Sequence, residues 1–284
     1  MAAERTAGAE VDLSVSIVVF RPDLQELMAT LSSLGLAAER ARAAGVLQRV
    51  ELWLVDNGEG VGAGLEDSLA VALARFAPWL RVEILSSHGN VGFGRGHNLA
   101  IARAGTRYHL VLNPDVILEP DALVEGLRYL ESHAKVGLIT PQVFATTGGR
   151  QFLCKRYPSV MVLALRGFGP ASLRRRFGRM LDRYEMRDLP DDAPTSPIPI
   201  ASGCFMLCRR QPLAAIGGFS PEYFLYFEDF DLSLRFARQA AIAYVPAVRI
   251  RHAGGDAAGK GWAHRRMFIR SGVTFFRRHG WRLW

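Results

Sequence analysis

The sequence predicts an α/β fold with a mostly parallel central sheet and helices on both faces. Continuous apolar runs rich in β-branched residues, such as "SVSIVVF" and "VELWLV", are typical of strands that are buried on both faces. Stretches whose apolar residues recur at helical spacing separate these runs over residues 14–130. Because strand and helix alternate in this way, a sheet of mainly parallel strands is expected.

The first half of the chain supplies four predicted strands and the helices between them. The strands are expected over residues 14–20, 50–55, 81–85 and 108–113. The first helix begins at Pro22, since proline suits the first position of a helix, and carries leucines at helical spacing as far as Leu34. The other helices are expected over residues 65–76, 97–104 and 120–132.

The second half has a different pattern. "KVGLITPQVF" and "IPIASGCFMLCRR" predict strands, and the long stretch between them is expected to be irregular and to end in the exposed loop "DLPDDAPTSPIP". "QPLAAIGGF" predicts a short helix, "EDFDLSLRFARQAA" a helix with acids in its first turn, and "AIAYVPAVRIRH" a last strand ending at His252. The chain divides into a lead-in over 1–13, a first half over 14–130, a second half over 131–255 and a tail over 256–284.

The composition is that of an ordinary globular protein, with 284 residues of which 49% are hydrophobic. No apolar run reaches the roughly 18 residues that a membrane span requires, and the lead-in, expected to be disordered, lacks the apolar segment of a signal peptide. The three cysteines are too few for a disulfide framework, which favours a reducing compartment. Cys204 and Cys208 lack partners at zinc spacing, so packing is their favoured role.

The net charge of +8 is concentrated in the tail. Residues 260–284 hold seven lysines and arginines and no acid, and without them the net charge falls to +1. On a helical wheel Trp262, Ile269 and Phe276 lie on one broad face, whereas Arg266 lies on the other. Such a basic amphipathic helix suits an anionic membrane surface. The alternative is that its apolar face packs on the protein core.

Polar and aromatic side chains follow four of the predicted strands. They are Phe20 and Arg21 after the first, Asp56 and Asn57 after the second, Asn90 after the third, and Asn113 and Asp115 after the fourth. One such strand end would carry little weight, because Asp and Asn are common in turns and at helix caps. Four together indicate a ligand site, since ligands of open α/β sheets bind outside the carboxyl ends of the strands.

The glycine-rich stretch "NVGFGRGHN" raises the alternative of a dinucleotide-dependent dehydrogenase. That fingerprint is G-x-G-x-x-G after the first strand, with an acid about 20 residues further on. Gly92, Gly94 and Gly96 are instead spaced G-x-G-x-G and follow the third strand. The spacing argues against a dehydrogenase, and the glycines are interpreted as positions where the backbone approaches a ligand closely.

The order of motifs resembles that of the family 2 glycosyltransferases with a GT-A fold. The matching motifs are "SIVVF", "LWLVDNG", "NVGFGRGHN", "VLNPDV", "SGCFMLCRR", "GGFSPEYFLYFEDFDL" and "VRIRHAGG", spread over residues 14–284. They are most similar to the motifs of bacterial rhamnosyltransferases of O-antigen and cell-wall assembly, which the ending "HRRMFIRSGVTFFRRHGW" also resembles.

The resemblance implies a divalent cation, Mn²⁺ or Mg²⁺, beside the diphosphate of a nucleotide-sugar donor. The family's acidic metal motif after the fourth strand is "NPD" here, with Asn113 where many relatives have an aspartate. Asp115 is then the metal carboxylate, Asn113 a ribose or metal-shell group, and His252 the histidine that completes the site. A nitrogen ligand slightly favours Mn²⁺.

The resemblance also implies a catalytic pair within "FEDFDL". An acceptor hydroxyl needs a base within hydrogen-bond reach. The base of the family is the aspartate of an "ED" pair, which here is Asp229, and Glu228 would orient the acceptor or the base. Such a base implies a single displacement with inversion at the anomeric carbon. Asp231 is more simply explained as an acid that complements the helix dipole.

The other implied site residues contact the nucleotide sugar. Asp56 matches the family's aspartate for the base or ribose, while Phe20 and Arg21 replace a more usual Tyr-Asn and would stack on a pyrimidine and reach the diphosphate. Arg156, in "KRYP", is a candidate for a phosphate of the donor or acceptor. The full set is Phe20, Arg21, Asp56, Asn57, Gly92, Phe93, Gly94, Asn98, Asn113 and Arg156.

These implications describe an inverting, metal-dependent glycosyltransferase that moves L-rhamnose from dTDP-rhamnose to a lipid-linked saccharide in bacterial surface polysaccharide synthesis. Its first half binds the nucleotide sugar and its second half the acceptor. It is expected in the cytoplasm, on the cytoplasmic face of the inner membrane. The alternatives are a UDP-hexose or UDP-galactofuranose donor, a GT-A domain without activity, and a nucleic-acid-binding protein, which the lack of a recognition module disfavours.

Overall fold

The computed structural model of the protein describes residues 12–58, 69, 73–254 and 261–284. The strands are β1 (Asp12–Val19), β2 (Arg49–Asp56), β3 (Leu80–Leu85), β4 (Tyr108–Leu112), β5 (Val116–Leu118), β6 (Val136–Ala145), β7 (Arg150–Gln151), β8 (Phe205–Arg209) and β9 (Ala241–His252). The α-helices are α1 (Leu24–Ala43), α2 (Phe93–Ile101), α3 (Ala122–Ser132), α4 (Val160–Phe168), α5 (Ala171–Arg176), α6 (Gly178–Tyr184), α7 (Arg210–Ala215), α8 (Glu228–Phe236) and α9 (Gly261–His279).

The central sheet confirms the predicted α/β class. In space its strands follow the order β3-β2-β1-β4-β8-β6-β9-β5, and β7 pairs with β6. β1 to β4 form parallel pairs, as do β6 and β9, whereas β8 runs antiparallel to both of its neighbours. β5 pairs with β9, so the segment that follows β4 borders the last strand of the sheet.

Helix α1 fixes the segment that follows β4. Asp23 caps the first turn of this helix by accepting two backbone N–H hydrogen bonds at 2.8 and 3.1 Å. Further along the helix, Thr30 donates to the carbonyl of Pro114 at 2.7 Å, and the N–H of Leu118 donates to Ser33 at 3.1 Å. The position of the polar residues after β4 is therefore set by the packing of α1.

The predicted strands agree with the structure, with one main exception. The strand expected over "IPIASGCFMLCRR" begins only at Phe205, because residues 203 and 204 form a turn. β1 begins at Asp12, so the predicted lead-in is wrong for its last two residues, and residues 1–11 lie outside the described part of the chain.

Two helical predictions also need correction. α2 begins at Phe93 rather than at residue 97, so Gly92 is its N-cap and Gly94 and Gly96 lie in its first turns. The stretch expected to be irregular contains α4, α5 and α6, short helices whose pattern is interrupted by Gly169, Pro170 and Gly178. The predicted helix over 65–76 falls mostly outside the described residues, apart from a single 3₁₀ turn at Ala74–Phe76.

The C-terminal helix α9 packs on the protein through one side. Phe275 and Phe276 are buried against Tyr223 and Phe227, which precede α8. The predicted apolar face is thus divided, because Trp262 and Ile269 are 78% and 51% exposed whereas Phe275 and Phe276 are buried. No helix among the described residues combines the length and apolarity that crossing a bilayer requires.

A chain of buried hydrogen bonds runs between β1, β4 and α2. Ser16 Oγ lies 2.7 Å from His97 Nδ1 and 2.9 Å from His109 Nε2. His109 Nδ1 in turn lies 2.7 Å from Ser14 Oγ, to which Thr106 donates at 2.8 Å. Burial, with a smaller contribution from Arg210, lowers the pKa of His109 to about 3. The imidazole is therefore neutral in the folded protein at neutral pH.

We expect the substitution His109→Gln to make the free energy of unfolding depend less steeply on pH below about pH 6.5. A histidine whose folded pKa lies below its unfolded value of 6.5 contributes stability that is complete above pH 6.5 and is lost as the pH falls towards the folded pKa of about 3. Between about pH 6 and pH 4, the unfolding free energy of the wild type should fall faster than that of the variant by about 1.4 kcal/mol per pH unit. Urea unfolding over this range measures the slopes.

The exposed residue His133 offers a matched control for this experiment. His133→Gln should leave the slope of the wild type unchanged, because the side chain of His133 lies in solvent. Equal slopes in wild type and His109→Gln would contradict a neutral buried imidazole.

Candidate active site

Asp115 and His252, two of the predicted residues, meet where β9 ends and β5 begins. β5 pairs with β9 in a register that places Val116 opposite His252, and the backbone of residue 253 donates to the carbonyl of Asp115 at 3.1 Å. As a result His252 Nε2 lies 3.4 Å from Asp115 Oδ1. Gln151 Oε1 lies 3.3 Å from His252 Nδ1 and orients the ring.

The oxygen atoms at this strand end have few donors. Asn113 Oδ1 is buried and accepts no hydrogen bond from any described residue, and the nearest side-chain donor to the buried Asp115 Oδ1 is His252 Nε2, at the long distance of 3.4 Å. Burial acts to raise the pKa of Asp115, but His252 and the backbone N–H groups of residues 115 and 254 outweigh it and lower the pKa below 3.8. A Cβ at Gly254 would lie 2.3 Å from Asp115 Oδ2, so only glycine fits there. Buried oxygens with few donors are the atoms that a hard cation prefers.

The predicted catalytic pair, Glu228 and Asp229, follows a turn with two left-handed residues. Tyr226 and Phe227 have φ values of 70° and 65°, a conformation that costs about 1–3 kcal/mol for residues other than glycine. Phe227 is held by the rings of Phe268 and Phe275 in α9, with centroids 5.0 and 5.4 Å away. Ser271 also donates to the carbonyl of residue 225 at 2.8 Å. α9 thus holds the turn from which Glu228 and Asp229 project.

Asp229 is fixed by two backbone donors. Its Oδ2 accepts from the N–H of Gly203 at 3.1 Å and its Oδ1 from the N–H of Phe230 at 2.9 Å. The carbonyl of Cys204, next to Gly203, accepts from the N–H of Asn113 at 2.9 Å. The turn at residues 203 and 204 therefore joins Asp229 to the strand end that carries Asn113 and Asp115.

The electrostatic environment of the pair raises both pKa values. Burial is the main cause for each carboxyl, and the charge of Asp229 raises the pKa of Glu228 further. The backbone donors to Asp229 and the ammonium of Lys155 oppose the effect on Asp229. Glu228 Oε2 is buried and has no hydrogen-bond partner among the described residues. The pair is thus arranged so that Glu228 holds a proton more readily than Asp229.

Asp56 and Asn57 lie buried at the end of β2. Asp56 Oδ1 accepts from the N–H of Gly58 at 2.8 Å. Asn57 donates to the carbonyl of Gly92 at 3.0 Å, and its Oδ1 lies 3.1 Å from His88 Nε2. Asn57 therefore connects the end of β2 to the segments that follow β3.

The glycines of the "NVGFGRGHN" stretch permit close contacts between protein segments. A Cβ at Gly92, where φ is 88°, would lie 2.3 Å from the carbonyl oxygen of Phe224, and one at Gly94 would lie 2.8 Å from the Cβ of Phe219. These contacts explain the two glycines by packing, and that they also admit a ligand stays a prediction. Phe93 lies at the same junction, since its N–H donates to Phe224 at 3.0 Å.

Asn98 belongs to the same junction. Its side chain donates to the carbonyl of Phe219 at 2.8 Å and accepts from the N–H of Phe219 at 2.9 Å. Both ends of the amide thus hold the loop that leads to Glu228, so the contacts of Asn98 are with this loop.

Three predicted donor residues stand apart from these clusters. Phe20 is 52% exposed at the end of β1, and Arg21 follows it with a φ of 49° and a guanidinium 5.5 Å from the ring centroid of Phe20. Arg156 forms a bidentate pair with Asp188, with N–O distances of 3.1 and 2.8 Å. The structure does not link Arg156 to the other predicted residues by a contact.

Lys155 and Tyr184 are residues near the pair that the sequence did not single out. Lys155 is buried, and burial lowers its pKa to about 8 while its charge acts on Asp229. Tyr184 lies beside it, with the ammonium 5.7 Å from the ring centroid, and its buried hydroxyl has no partner among the described residues. The "KRYP" motif indicated this region but not which of its two cations faces inward.

The chain is similar to known proteins over most of its length. The profile of the family described as "Glycosyltransferase like family 2" matches residues 49–268. The chain is 27% identical over 260 residues to N-acetylglucosaminyl-diphospho-decaprenol L-rhamnosyltransferase of Mycobacterium tuberculosis, covering 87% of this chain and 78% of that protein. It is 29% identical over 195 residues to rhamnosyltransferase WbbL of Escherichia coli, covering 58% and 62%.

Solved structures confirm the predicted GT-A fold. A mannosyltransferase from Pyrobaculum calidifontis, solved with GDP-Man and Mn²⁺, aligns with a TM-score of 0.61 at 14% identity, covering 95% of this chain and 65% of that one. GalNAc-T7, solved with UDP, GalNAc and Mn²⁺, aligns with a TM-score of 0.63 at 13% identity over 89% of this chain. The chain spans 45% of the GalNAc-T7 chain.

Proposed function

Because this chain belongs to glycosyltransferase family 2 and is a glycosyltransferase, we propose that it transfers L-rhamnose from dTDP-rhamnose to a lipid-linked saccharide. The observation that carries the proposal is the turn at residues 203 and 204, which places Asp229 next to the strand end of Asn113 and Asp115. The choice of rhamnose and of a lipid-linked acceptor is supported by the names of the two relatives.

The donor occupies the carboxyl ends of β1, β2 and β4 in this proposal. Asp56 and Asn57 are buried at the end of β2, where Asp56 would contact the base or ribose. Phe20 follows β1, the strand next to β2, and its exposed ring would stack on a pyrimidine base. The guanidinium of Arg21 lies 5.5 Å from the ring centroid of Phe20, so it would contact the diphosphate of the same nucleotide.

Asn113, Asp115 and His252 would hold a divalent cation. The described residues contain no cluster of three His, Cys, Asp or Glu side chains around one point, so the protein supplies few ligands and the donor diphosphate would supply others. The buried oxygens of Asn113 and Asp115, which have few donors, and the nearby imidazole fit such an ion. When bound, it would stabilise the negative charge that develops on the leaving diphosphate.

Asp229 acts as the base in this mechanism. The N–H groups of Gly203 and Phe230 hold the carboxylate in a fixed orientation, and burial brings its pKa closer to neutrality, where a general base is most effective. Glu228 keeps a proton and so limits the repulsion within the pair. Attack from the side opposite the leaving diphosphate then inverts the anomeric carbon.

The exposed end of the chain would contact the cytoplasmic face of the inner membrane. Its apolar side chains stand in solvent among arginines, which suits an anionic bilayer surface. These exposed side chains are Trp262, Ile269, Trp281, Leu283 and Trp284. In this position the protein would meet its lipid-linked acceptor during surface polysaccharide synthesis.

A donor panel tests the proposed reaction. The purified protein is incubated with a lipid-diphosphate N-acetylglucosamine acceptor and, separately, with dTDP-rhamnose, UDP-galactose, UDP-galactofuranose or GDP-mannose, and the nucleoside diphosphate released is measured. We expect acceptor-dependent release from dTDP-rhamnose alone. Turnover of a UDP-sugar instead would retain the chemistry and replace the donor, and no turnover with any of the four would refute the proposal.

The substitution Asp115→Asn tests the cation site. It removes a carboxylate and preserves the shape of the side chain, so we expect the Mn²⁺ concentration needed for half-maximal transfer to rise about 10- to 100-fold. Chelation by EDTA should abolish transfer by the wild type. Asp121→Asn, at an exposed aspartate that pairs with Arg40, is the matched control. Full activity in EDTA would contradict the site.

A further inference from the structure

A cavity outside the proposed donor site lies between α4, α5, α6 and α9. The cavity has a volume of about 470 Å³. None of its lining residues belongs to β1, β2, β4 or the turns that follow these strands, where the donor is proposed to bind. The cavity is therefore separate from the residues proposed to bind the donor.

The cavity carries an excess of positive charge. Arg166, Arg174, Arg187 and Arg265 line it, against the two carboxylates of Asp182 and Glu185. Arg187 pairs with both carboxylates at 3.1 and 2.8 Å, and Arg166 pairs with Glu185 at 3.2 Å. Arg174 and Arg265 form no ion pair with any residue that the structure describes. Two oriented and two unpaired guanidinium groups suit a ligand with more than one negative charge, because guanidinium binds phosphate oxygens in bidentate fashion.

The remaining walls of the cavity are apolar. Leu163, Leu181 and Phe268 line it, and so does Phe168, whose side chain is 57% exposed although it is large and apolar. A strongly anionic group and an apolar chain can therefore bind side by side. Inorganic phosphate or a free nucleotide would use the arginines but leave these apolar side chains without a partner.

The cavity lies next to the catalytic pair. Tyr226, two residues before Glu228, forms part of its wall and is fixed by a 2.8 Å contact between its hydroxyl and His264 Nδ1. On another side, Arg166 of the wall lies 5.7 Å from the ring of Tyr184, whose pKa is raised mainly by burial and in part by the charge of Asp229. Tyr184 therefore lies near both Arg166 of the cavity wall and Asp229.

We propose that this cavity binds the diphosphate of the acceptor, with the first part of its lipid chain against the apolar wall. The inference rests on the proposed function, in which the acceptor is a lipid-linked saccharide. A saccharide attached to a diphosphate in the cavity would extend along the wall formed by Tyr226, two residues before Glu228. The arginines then select acceptors that carry a diphosphate between lipid and sugar.

The test uses a matched pair of double variants. R174Q/R265Q removes the two unpaired arginines of the cavity, whereas R175Q/R266Q removes their neighbours on the same helices, which do not line it. Both variants change the net charge equally, and all four arginines are exposed, so both should fold. Binding of farnesyl diphosphate, measured by calorimetry without vesicles, reports on the site independently of turnover. Farnesol and inorganic pyrophosphate separate the contributions of lipid and phosphate.

We expect R174Q/R265Q to weaken farnesyl diphosphate binding at least about tenfold and R175Q/R266Q to leave it within about twofold of wild type. Farnesol and pyrophosphate should each bind more weakly than farnesyl diphosphate. Equal weakening in both variants would show a general charge effect and overturn the proposal. A parallel loss of dTDP binding in R174Q/R265Q would place the donor in the cavity and also overturn it. Because no sugar transfer is measured, failure of the donor panel leaves this result interpretable.

Discussion

Asp229→Asn is expected to reduce sugar transfer by about 10²- to 10⁴-fold, the usual contribution of a general base. The amide cannot accept the proton of the acceptor hydroxyl, although its shape matches that of the carboxylate. It also offers one acceptor oxygen where Asp229 uses two, for the N–H groups of Gly203 and Phe230. One of these donors loses its partner, at a cost of about 1–3 kcal/mol in stability. Initial rates at saturating donor and acceptor measure the catalytic effect.

Two comparisons separate loss of the base from local misfolding. Affinity for the donor nucleotide, measured by calorimetry, should stay within about twofold of wild type, because Asp229 does not touch the residues proposed to bind the nucleotide. Glu228→Gln keeps Asp229 and mimics a protonated Glu228, so it should lose less activity than Asp229→Asn. If Asp229→Asn turned over at the wild-type rate, another residue would have to be the base.

The second large effect concerns the buried carboxylate of Asp231. Its Oδ2 accepts from Arg235 at 2.7 Å and its Oδ1 lies 2.9 Å from His279 Nε2, at the end of α9. Asp231→Ala leaves Arg235 as an uncompensated charge that is only 12% exposed. We expect the free energy of unfolding to fall by about 3–5 kcal/mol, as is typical when one partner of a buried pair is removed. Urea unfolding monitored by circular dichroism measures this loss.

Glu222→Ala provides the control for the Asp231 network. Glu222 is an exposed partner of Arg278, which also approaches Asp231, at N–O distances of 2.9 and 3.4 Å respectively. An exposed pair contributes about 0–1 kcal/mol, so this variant should unfold close to wild type. If Asp231→Ala lowered the free energy of unfolding no more than Glu222→Ala does, the contacts of Asp231 would not anchor α9.

The longer strands were predictable from the sequence because their burial is local in pattern, whereas the short β5 and β7 were not predicted. β9 was predicted over the residues that form it, since its apolar run is long and ends in a clear change to polar residues. The helices of the 152–204 segment were not predicted. One of them, α5, buries none of its side chains and so shows no apolar periodicity. Their position is determined by contacts with distant parts of the chain, such as the N–H of Val160 that donates to the carbonyl of Arg282 at 2.8 Å.

The candidate site shows the same division between local and distant determinants. The family resemblance brought Asp115 and His252 together, and the β5–β9 register places them in contact. The sequence did not reveal that the side-chain amide of Asn98 forms hydrogen bonds with the backbone of Phe219, because the two residues are more than a hundred positions apart. Nor could adjacent Lys155 and Arg156 be told apart, since only the local backbone decides which of two neighbouring cations turns inward.

The segment from 152 to 204 starts and ends at neighbouring points of the structure. The N–H of Lys155 donates to the carbonyl of Ile200 at 2.9 Å, so the two ends of the segment are joined before the chain enters β8. Because its two ends are joined, the stretch between them can vary in length without shifting the register of β6 or β8. With the acceptor in the proposed cavity, chimeras that exchange this segment together with α9 should change the acceptor and keep the donor.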